Sequence, residues 1–135
     1  MKEWEAAYFA GIIDGEGSIT LTKLHSNEFR RPVITISSTD LELLIYLKEL
    51  TNGYLYNKKN YKPGIHKNSY ILNIKNKNDV FNVLRETHKF LRVDKKRRRA
   101  NYILENYDLV TPRNGKYSKE ALRKKLNFEK HFFEL

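Results

Sequence analysis

The chain has 135 residues, a length that suits one compact domain, and 40% of them are hydrophobic, which is enough for a buried core. Lys and Arg total 26 against 16 Asp and Glu, and the net charge of +10 favours a polyanionic partner, with nucleic acid first. The absence of cysteine excludes disulfides, thiol chemistry and cysteine-based zinc sites, and no apolar run is long enough to cross a bilayer.

The N-terminal residues Met1–Glu5 contain two acidic side chains and no apolar segment, so we predict no signal peptide. The protein is therefore expected to be intracellular, in the cytoplasm or an organelle. It is expected neither to be secreted nor to bind a membrane.

Hydrophobic periodicity and capping residues, among them Asn78-Asp79 and Ser118 as N-caps, predict five helices and four strands. In chain order these are a helix over Glu3–Asp14, strands over Ser18–Leu24 and Arg31–Ser38, a helix over Leu41–Leu50, strands over Gly53–Lys59 and Ser69–Lys75, and helices over Val80–Leu91, Lys95–Tyr107 and Lys119–Phe132. This order is typical of an α+β fold with helices on one face of an antiparallel four-stranded sheet. We expect a single domain over 1–135, with a core of about 3–107 and a C-terminal extension of about 108–135.

Two carboxylates, Asp14 and Glu16, stand at the end of the first predicted helix, beside Gly15 and Gly17. The helix dipole is negative there, so each acid is disfavoured by about 0.3–1 kcal/mol. The last carbonyls of a helix also lack intrahelical partners. A cation would stabilise this arrangement, and Mg²⁺ takes ligands from one or two carboxylates together with water and substrate phosphates. The alternative is a solvated acidic turn.

Small residues run along the same helix: Ala7, Gly11 and Gly15 are spaced by four, with Ala6 and Ala10 alongside. Glycine in a helix interior costs about 1 kcal/mol relative to alanine, and close approach of another backbone is the usual reason for it. The chain contains no second copy of this helix, so the simplest partner is the same helix of a second subunit in a two-fold dimer. Such a dimer would bring two acidic helix ends together, the arrangement that two-metal phosphodiester hydrolysis uses.

The segment 9–17, FAGIIDGEG, with Ser18 and Ile19 after it, resembles the signature motif of the LAGLIDADG homing endonucleases. The order of helices and strands over about 3–107 is also similar to that of the family. A single copy of the motif implies the homodimeric branch rather than the two-repeat monomers. The resemblance implies a site-specific endonuclease that hydrolyses double-stranded DNA at a long, near-palindromic site, with Mg²⁺ or another divalent cation such as Mn²⁺.

The resemblance also implies roles for individual residues. Glu16 takes the position of the main metal ligand, and the backbone carbonyl of Gly15 would face the metal. Asp14 is the motif's first acid, which in the family more often supports the helix end than binds the metal. Lys95 or Lys96 resembles the lysine of the family's catalytic pocket, and the basic run around them leaves the choice open.

Two positions depart from the family pattern and leave a second interpretation open. Ser38 stands where the family often has Gln or Asn to organise the attacking water, and Ser reaches less far. Glu42 stands where some members have a basic residue. The alternative is therefore a nucleic-acid-binding maturase, or a DNA-binding protein of the same fold that does not cleave. A basic ribosome-associated or structural protein would leave the helical glycine and the acidic helix end unexplained.

The sheet face opposite the core is predicted to lie along the major groove of DNA, where polar side chains read base edges, although an ordinary solvated face is the alternative. The predicted DNA-binding residues are Thr20, Thr22, Arg31, Val33, Thr35, Tyr56, Lys58, Ser69 and Ile71 on the strands, with Arg30 and Lys67 in the loops. They alternate with the predicted core residues Ile19, Leu21, Ile34, Ile36, Leu55, Leu72 and Ile74. Further phosphate contacts are expected from His25, Lys59, Lys62, His66, the run Lys95–Arg99, Lys116, Lys119, Arg123, Lys124 and Lys125.

The predicted dimer interface consists of Ala7, Ala10, Gly11 and Asp14. The larger aromatic residues are assigned to packing: Trp4 and Tyr8 near the dimer helices, Tyr54 in the core or a hairpin, and Phe128, Phe132 and Phe133 where the C-terminal helix docks on the body.

Overall fold

The computed structural model describes all residues from 1 to 135. The elements in chain order are α1 (Glu3–Glu16), β1 (Gly17–Thr22), β2 (Arg31–Ser38), α2 (Leu41–Thr51), β3 (Tyr54–Lys58), β4 (Ser69–Ile74), α3 (Lys77–Thr87), α4 (Asp94–Asn106) and α5 (Lys119–Glu134). Short 3₁₀ turns over His88–Phe90 and Asp108–Val110 follow α3 and α4. The predicted type and order of the elements are confirmed. None of the helices combines the length and the apolar character that a membrane span needs.

The first helix, α1, continues two residues further than predicted, so that Gly15 lies inside it. It ends where the N–H of Gly17 donates to the carbonyl of Ile13. A β-carbon at Gly17 would lie only 2.9 Å from the Ile13 backbone, so this glycine is required by the sharp change from helix to strand. The metal candidate Glu16 is therefore the last helical residue, immediately before the sheet.

Two of the later helices carry side-chain N-caps. Ser118 caps α5 as predicted, because its hydroxyl accepts a backbone N–H of the first turn. The predicted cap of α3 is wrong by two residues. Asn76 caps that helix, and its side chain accepts the N–H groups of Asn78 and Asp79, the residues to which the cap was assigned.

The four strands form one antiparallel sheet in the order β1-β2-β4-β3. This confirms the predicted α+β class. In the β1–β2 hairpin, Gly17 lies opposite Ile36 and Thr22 lies opposite Arg31. β1 therefore begins at the acidic end of α1 and runs away from it, so the loop that joins β1 to β2 lies at the far end of the sheet.

One face of the sheet is buried and belongs to a single core cluster of 21 buried residues. The predicted strand residues of the core are buried, except that Leu55 in the edge strand β3 is only partly buried against the cluster. The cluster includes Phe9 and Ile13 of α1 and residues from α2, α3, α4 and α5. The helices thus anchor the acidic end of α1 against the rigid sheet.

The C-terminal helix α5 is part of the same core. Phe128 and Phe132 are buried, as predicted, whereas Phe133 is 46% exposed. Tyr102 of α4 stacks on Phe128 with 5.2 Å between ring centroids. The guanidinium of Arg99, also in α4, lies 4.7 Å from the centroid of Phe132. The extension after about residue 107 is therefore packed on α4 through aromatic rings.

A buried lysine lies in the same helix. The prediction that Lys125 contacts phosphate is wrong, because this residue is only 1% exposed. Its Nζ donates to Oγ1 of Thr111 at 2.7 Å and lies 4.4 Å from the ring centroid of Tyr107. Burial lowers the pKa of the Lys125 ammonium to about 8, against a smaller raising effect of the Glu129 carboxylate.

The buried ammonium of Lys125 makes stability depend on pH. Its ordinary pKa is 10.5 and its pKa in the folded chain is about 8. Between these values the unfolded chain binds a proton that the folded chain lacks, so stability rises with pH, by at most about 1.4 kcal/mol per pH unit. We expect the unfolding free energy of the natural chain, measured relative to that of Lys125→Met, to be constant below pH about 8 and to increase above it. Urea unfolding of both proteins across this range measures the difference, and a pH-independent difference would contradict the prediction.

Candidate active site and nucleic-acid interface

The carboxylate of Glu16 is exposed at the C-terminal end of α1. No ion pair of the chain involves it, and no basic residue in the last turn of α1 compensates its charge. A free acid at the negative end of a helix dipole is unfavourable by about 0.3–1 kcal/mol unless a cation is close. Glu16 therefore has both the exposure and the electrostatic setting of a metal ligand.

The neighbouring acid, Asp14, has a different environment. One of its carboxylate oxygens accepts the N–H of Arg92 at 2.8 Å, and the other accepts the N–H of Val93 at 3.0 Å. Val93 is the N-cap residue of α4. Asp14 thus ties the end of α1 to the start of α4. Its assignment as a metal ligand gains no support from this geometry, whereas its helix-supporting role does.

The two candidate lysines are clearly separated by the fold. Nζ of Lys96 donates to the carbonyls of Ile13 and Asp14, both at 2.8 Å, so its ammonium sits on the last turn of α1. Lys95 is exposed and points elsewhere on α4. Because a positive charge is favoured at a helix C-terminus, Lys96 is held in place by the helix dipole as well as by two hydrogen bonds. The structure therefore favours Lys96 as the lysine of the site.

Ser38 lies at the end of β2, two residues beyond Ile36, the partner of Gly17. Its Oγ accepts the N–H of Asp40 at 2.9 Å in the turn that starts α2. The hydroxyl hydrogen remains available to a water molecule. Glu42 is exposed in the first turn of α2. The structure therefore leaves the assignment of Ser38 a prediction.

The small residues of α1 form two separate rows. Ala6 and Ala10 are buried in the core of their own chain, with 1% and 0% exposure. The prediction that Ala10 lies at the dimer interface is therefore wrong. Ala7, Gly11 and Gly15 are exposed. The two rows are adjacent because residues three and four apart share a helix face, so only the tertiary structure separates them.

The exposed row contains two glycines, and no contact within the chain requires a glycine at either position. A β-carbon at Gly11 or Gly15 would meet nothing within 4 Å. Trp4 and Tyr8, which border the row, are 61% and 47% exposed. This face of α1 is thus flat, partly aromatic and without a partner in its own chain.

The outer face of the sheet carries the predicted side chains. Antiparallel register and period-two alternation place Thr20, Thr22, Arg31, Val33, Thr35, Tyr56, Lys58, Ser69 and Ile71 on one side. One of them is not available for contact: Val33 is only 3% exposed, so its assignment as a DNA-binding residue is wrong. Sequence periodicity places a residue on a face but does not reveal how far its neighbours cover it.

Four further residues on this face were not among the predicted DNA-binding residues. Ser18, Ser37 and Asn73 alternate with core residues in the same way, and Asn73 accepts a hydrogen bond from the Thr35 hydroxyl at 2.9 Å. Tyr54 was assigned to packing but is 60% exposed. The period-two signal that found the other members could have found these as well.

The basic run Lys95–Arg99 does not act as one surface. Arg98 is exposed and pairs with Asp94 at 3.0 Å. Arg99 turns inward and donates to the carbonyl of Ile19 in β1 at 3.0 Å, and burial lowers the pKa of its guanidinium. The uniform assignment of the run to phosphate contacts is therefore wrong, because the helical period of 3.6 residues turns every third or fourth side chain toward the core.

The hairpin loops differ in their freedom. In the β3–β4 loop, basic and polar side chains line one open concavity: Lys58, Lys59, Asn60, Tyr61, Lys62, His66, Lys67 and Ser69. This concavity includes the predicted contact Lys67. In the β1–β2 loop, the predicted contact Arg30 is engaged with Glu129 of α5, with 3.5 Å between Nε and the carboxylate oxygen. The Arg30 side chain is thus 40% exposed and paired with a carboxylate of its own chain.

The chain resembles several solved structures of nucleases. The archaeal intron-encoded homing endonuclease I-Vdi141I, complexed with DNA, superposes with a TM-score of 0.63 at 20% sequence identity, over 99% of this chain and 85% of that chain. The homing endonuclease I-CvuI, in complex with a DNA target, gives a TM-score of 0.73 at 14% identity, over 97% of this chain and 81% of that chain. For the LAGLIDADG homing endonuclease I-GzeII the TM-score is 0.65 at 14% identity, over 92% of this chain but 43% of that chain. At these identities the likeness establishes a shared fold.

The sequence comparisons identify the family. No curated protein matches the chain. A sequence model described as LAGLIDADG endonuclease matches residues 9–96, from α1 through Lys96 in the first turn of α4. The matched segment includes Asp14, Glu16 and Ser38, which the fold brings to one end of the sheet. Since the match covers more than half of the residues, the chain belongs to the LAGLIDADG endonuclease family.

Proposed function

We propose that this endonuclease cuts double-stranded DNA at a specific, long and near-palindromic site, as a homodimer that uses Mg²⁺ or a similar divalent cation. The observation that carries the proposal is the C-terminal end of α1. There Glu16, which has no ion-pair partner, is the last residue of the helix, and the ammonium of Lys96 donates to two carbonyls of the same last turn. An acidic metal ligand beside a fixed cation suits phosphodiester hydrolysis, because negative charge develops on the phosphate oxygens in the transition state.

The residues present fit a hard divalent cation. Glu16 offers free carboxylate oxygens, and the carbonyl of Gly15 is at the same helix end. Mg²⁺ binds through one or two carboxylates, water and substrate phosphates rather than in a closed protein cage. This matches a chain that has no group of three or more acidic or histidine side chains placed to hold a metal by itself. The ion would supply Lewis-acid stabilisation of the phosphate oxygens. The structures of I-CvuI with DNA are described as determined in the presence of Mg or of Ca, which supports the use of a divalent cation by this chain.

The chain's own groups would position the phosphate and a water molecule. An ammonium has three N–H donors, and Lys96 uses two of them on Ile13 and Asp14, which leaves one for a phosphate oxygen. The Asp14 carboxylate accepts two N–H groups at the start of α4. These hydrogen bonds would help to fix the position of Lys96 relative to the end of α1. The Ser38 hydroxyl is the candidate that orients the attacking water.

In the proposed enzyme a dimer completes the site. One copy of the fold spans 85% of I-Vdi141I and 81% of I-CvuI, but 43% of I-GzeII, which supports a site built from two copies of this chain. Open space around Gly11 and Gly15 permits close approach of a partner helix. A two-fold axis along α1 would place two Glu16 carboxylates at one end, each beside one DNA strand. The same symmetry predicts a near-palindromic target.

The charge and the sheet face support DNA as the substrate. The net charge of +10 per chain becomes +20 in a dimer, and the outer sheet face offers polar side chains at the spacing of a pleated ribbon. The basic concavity at Lys58, Lys62 and Lys67 would contact phosphates beside the groove. Binding should weaken steeply as salt is added.

The test is selection of cleaved molecules from a pool of random DNA duplexes. The natural chain is incubated with the pool in Mg²⁺ and, in parallel, with a chelator, and Glu16→Gln serves as the matched protein control. The proposal predicts cut ends that share one near-palindromic sequence, only with metal and only with Glu16 intact. A chain that binds duplex tightly but leaves it uncut would instead support a DNA-binding or maturase role.

The two lysines at the start of α4 give a further prediction. Lys96→Met is expected to lower the cleavage rate by about 10²-fold, the usual effect of removing one positioned donor to a developing oxyanion. Lys95→Met removes the same charge from an exposed position and is expected to change the rate by less than about threefold, through weaker phosphate attraction alone. Single-turnover cleavage at saturating protein measures both. Equal losses in the two variants would refute the assignment of Lys96.

A further inference from the structure

The β1–β2 loop, residues 23–30, lies far from the active site. β1 starts directly after Glu16 and runs away from it over six residues. A strand rises about 3.3 Å per residue, so the end of β1 lies about 20 Å from the helix end. DNA advances about 3.4 Å per base pair, so this distance corresponds to about six base pairs. On the proposed function, the loop therefore reaches the outer part of each half-site.

The C-terminal end of this loop contacts α5. The backbone N–H of Arg30 donates to Oε1 of Glu129 at 3.4 Å, and Nε of the same arginine lies 3.5 Å from that oxygen. The Arg30 guanidinium also lies over the ring of Phe133, 5.3 Å from its centroid. The Glu129 side chain is 13% exposed, so this carboxylate is shielded from water. One carboxylate thus fixes both the backbone and the side chain of Arg30.

The residue before Arg30 is held by an aromatic contact. Phe29 packs on Tyr117, just before α5, with 4.7 Å between ring centroids. The tip of the loop is different, because His25, Ser26 and Asn27 are exposed. The loop is therefore fixed at its base and free at its tip.

The helix that holds the loop is itself immobilised on the core. Phe128 and Phe132, on either side of Glu129, are 3% and 0% exposed. Arg99 bridges the end of α5 to the sheet, because its guanidinium lies over Phe132 and donates to the carbonyl of Ile19. α5 is thus a rigid support between α4 and the β1–β2 loop.

We propose that Glu129 is a positioning residue for DNA recognition, which sets the angle of the β1–β2 loop to the sheet by holding Arg30. It contacts neither the cleavage site nor, through its shielded carboxylate, the DNA. The proposal rests on the proposed function and assigns recognition of the outer base pairs of each half-site to a loop braced by the C-terminal helix. It replaces the predicted DNA contact of Arg30 with a structural role that acts through the loop tip.

The test compares Glu129→Ala with Glu120→Ala. Glu120 is also in α5 and also pairs with an arginine, Arg123, but it is exposed and forms no hydrogen bond or ion pair with the loop. We expect Glu129→Ala to raise the Kd for the selected duplex about tenfold and to lose discrimination at base pairs about six or more from the cut. At saturating DNA, kcat should stay within about twofold. Glu129→Gln, which still accepts the Arg30 N–H, should recover most of the discrimination.

Amide hydrogen exchange gives a readout that needs no DNA. The Arg30 amide should exchange faster in Glu129→Ala than in the natural chain, and at the natural rate in Glu120→Ala. An unchanged Arg30 amide, or the same base-pair profile in the two alanine variants, would overturn the proposal. If the natural chain binds duplex without cutting it, the proposed cleavage is refuted. The binding profile and the exchange rates still decide the role of Glu129, because neither requires cleavage.

Discussion

A Glu16→Gln chain is expected to bind its duplex site at least as tightly as the natural chain while cutting it at least about 10³-fold more slowly. The amide keeps the size of the side chain but cannot neutralise a divalent cation. Since this carboxylate has no ion-pair partner in the chain, its loss leaves no buried group unsatisfied. Removing a negative charge from a helix C-terminus should also stabilise the fold by about 0.3–1 kcal/mol. The variant therefore gains stability as it loses activity.

Single-turnover cleavage in Mg²⁺, a filter or gel-shift Kd and urea unfolding measure the three effects. Glu3→Gln is the matched control, because Glu3 lies in the first turn of the same helix and is exposed. It should leave cleavage unchanged and slightly lower stability, since an acid is favoured at a helix N-terminus. Substantial cleavage by Glu16→Gln, within about tenfold of the natural rate, would exclude Glu16 as the metal ligand.

Replacing Gly11 by Phe is expected to convert the proposed dimer into a folded monomer. A β-carbon at this position meets nothing within 4 Å in its own chain, so the substitution causes no internal clash. It also removes a helix-interior glycine, which costs about 1 kcal/mol relative to alanine. The ring instead fills the space into which a partner α1 helix would pack. We expect cleavage to fall at least about 10²-fold, because each chain supplies only one of the two carboxylates.

Sedimentation or light scattering gives the mass of the particle, and the slope of log Kd against log salt should fall by about half, because a monomer contacts half as many phosphates. Glu105→Leu, a change at an exposed position in the last turn of α4, is the control and should remain dimeric. A Gly11→Phe chain that remains a dimer and cuts normally would contradict the proposed interface.

The pattern of the sequence was sufficient to locate the acidic helix end and the four strands. Helix and strand periods depend on local spacing alone, and this is why strand β2 was predicted with its observed limits, Arg31–Ser38. The end of α1 was also recognisable, because Asp14 and Glu16 at a helix C-terminus conflict with the helix dipole. The motif that contains them begins the segment, residues 9–96, that matches the LAGLIDADG family.

The errors concern residues whose role depends on a neighbouring element. Lys125 and Arg99 belong to basic runs that look solvated, yet aromatic rings of α5 and of the segment between α4 and α5 lie next to their charges. Val33 alternates correctly to the outer face but is covered there. Ala10 differs from Ala7 only in which side of α1 faces the core. In each case the local sequence identifies the side chain but does not show which distant residues pack against it.

The position of the site is therefore a joint result. By itself the sequence determined the order of elements, the α+β class, the family motif and the free carboxylate of Glu16, because these follow from spacing, capping and charge within short segments. Only the tertiary structure placed Lys96 rather than Lys95 on the last turn of α1, separated the exposed row of small residues from the core row of α1, and joined Arg30 to Glu129, 99 residues apart. The physical reason is that helix phase and side-chain partners are set when elements dock, and docking depends on the combined shape of surfaces that lie far apart in the chain.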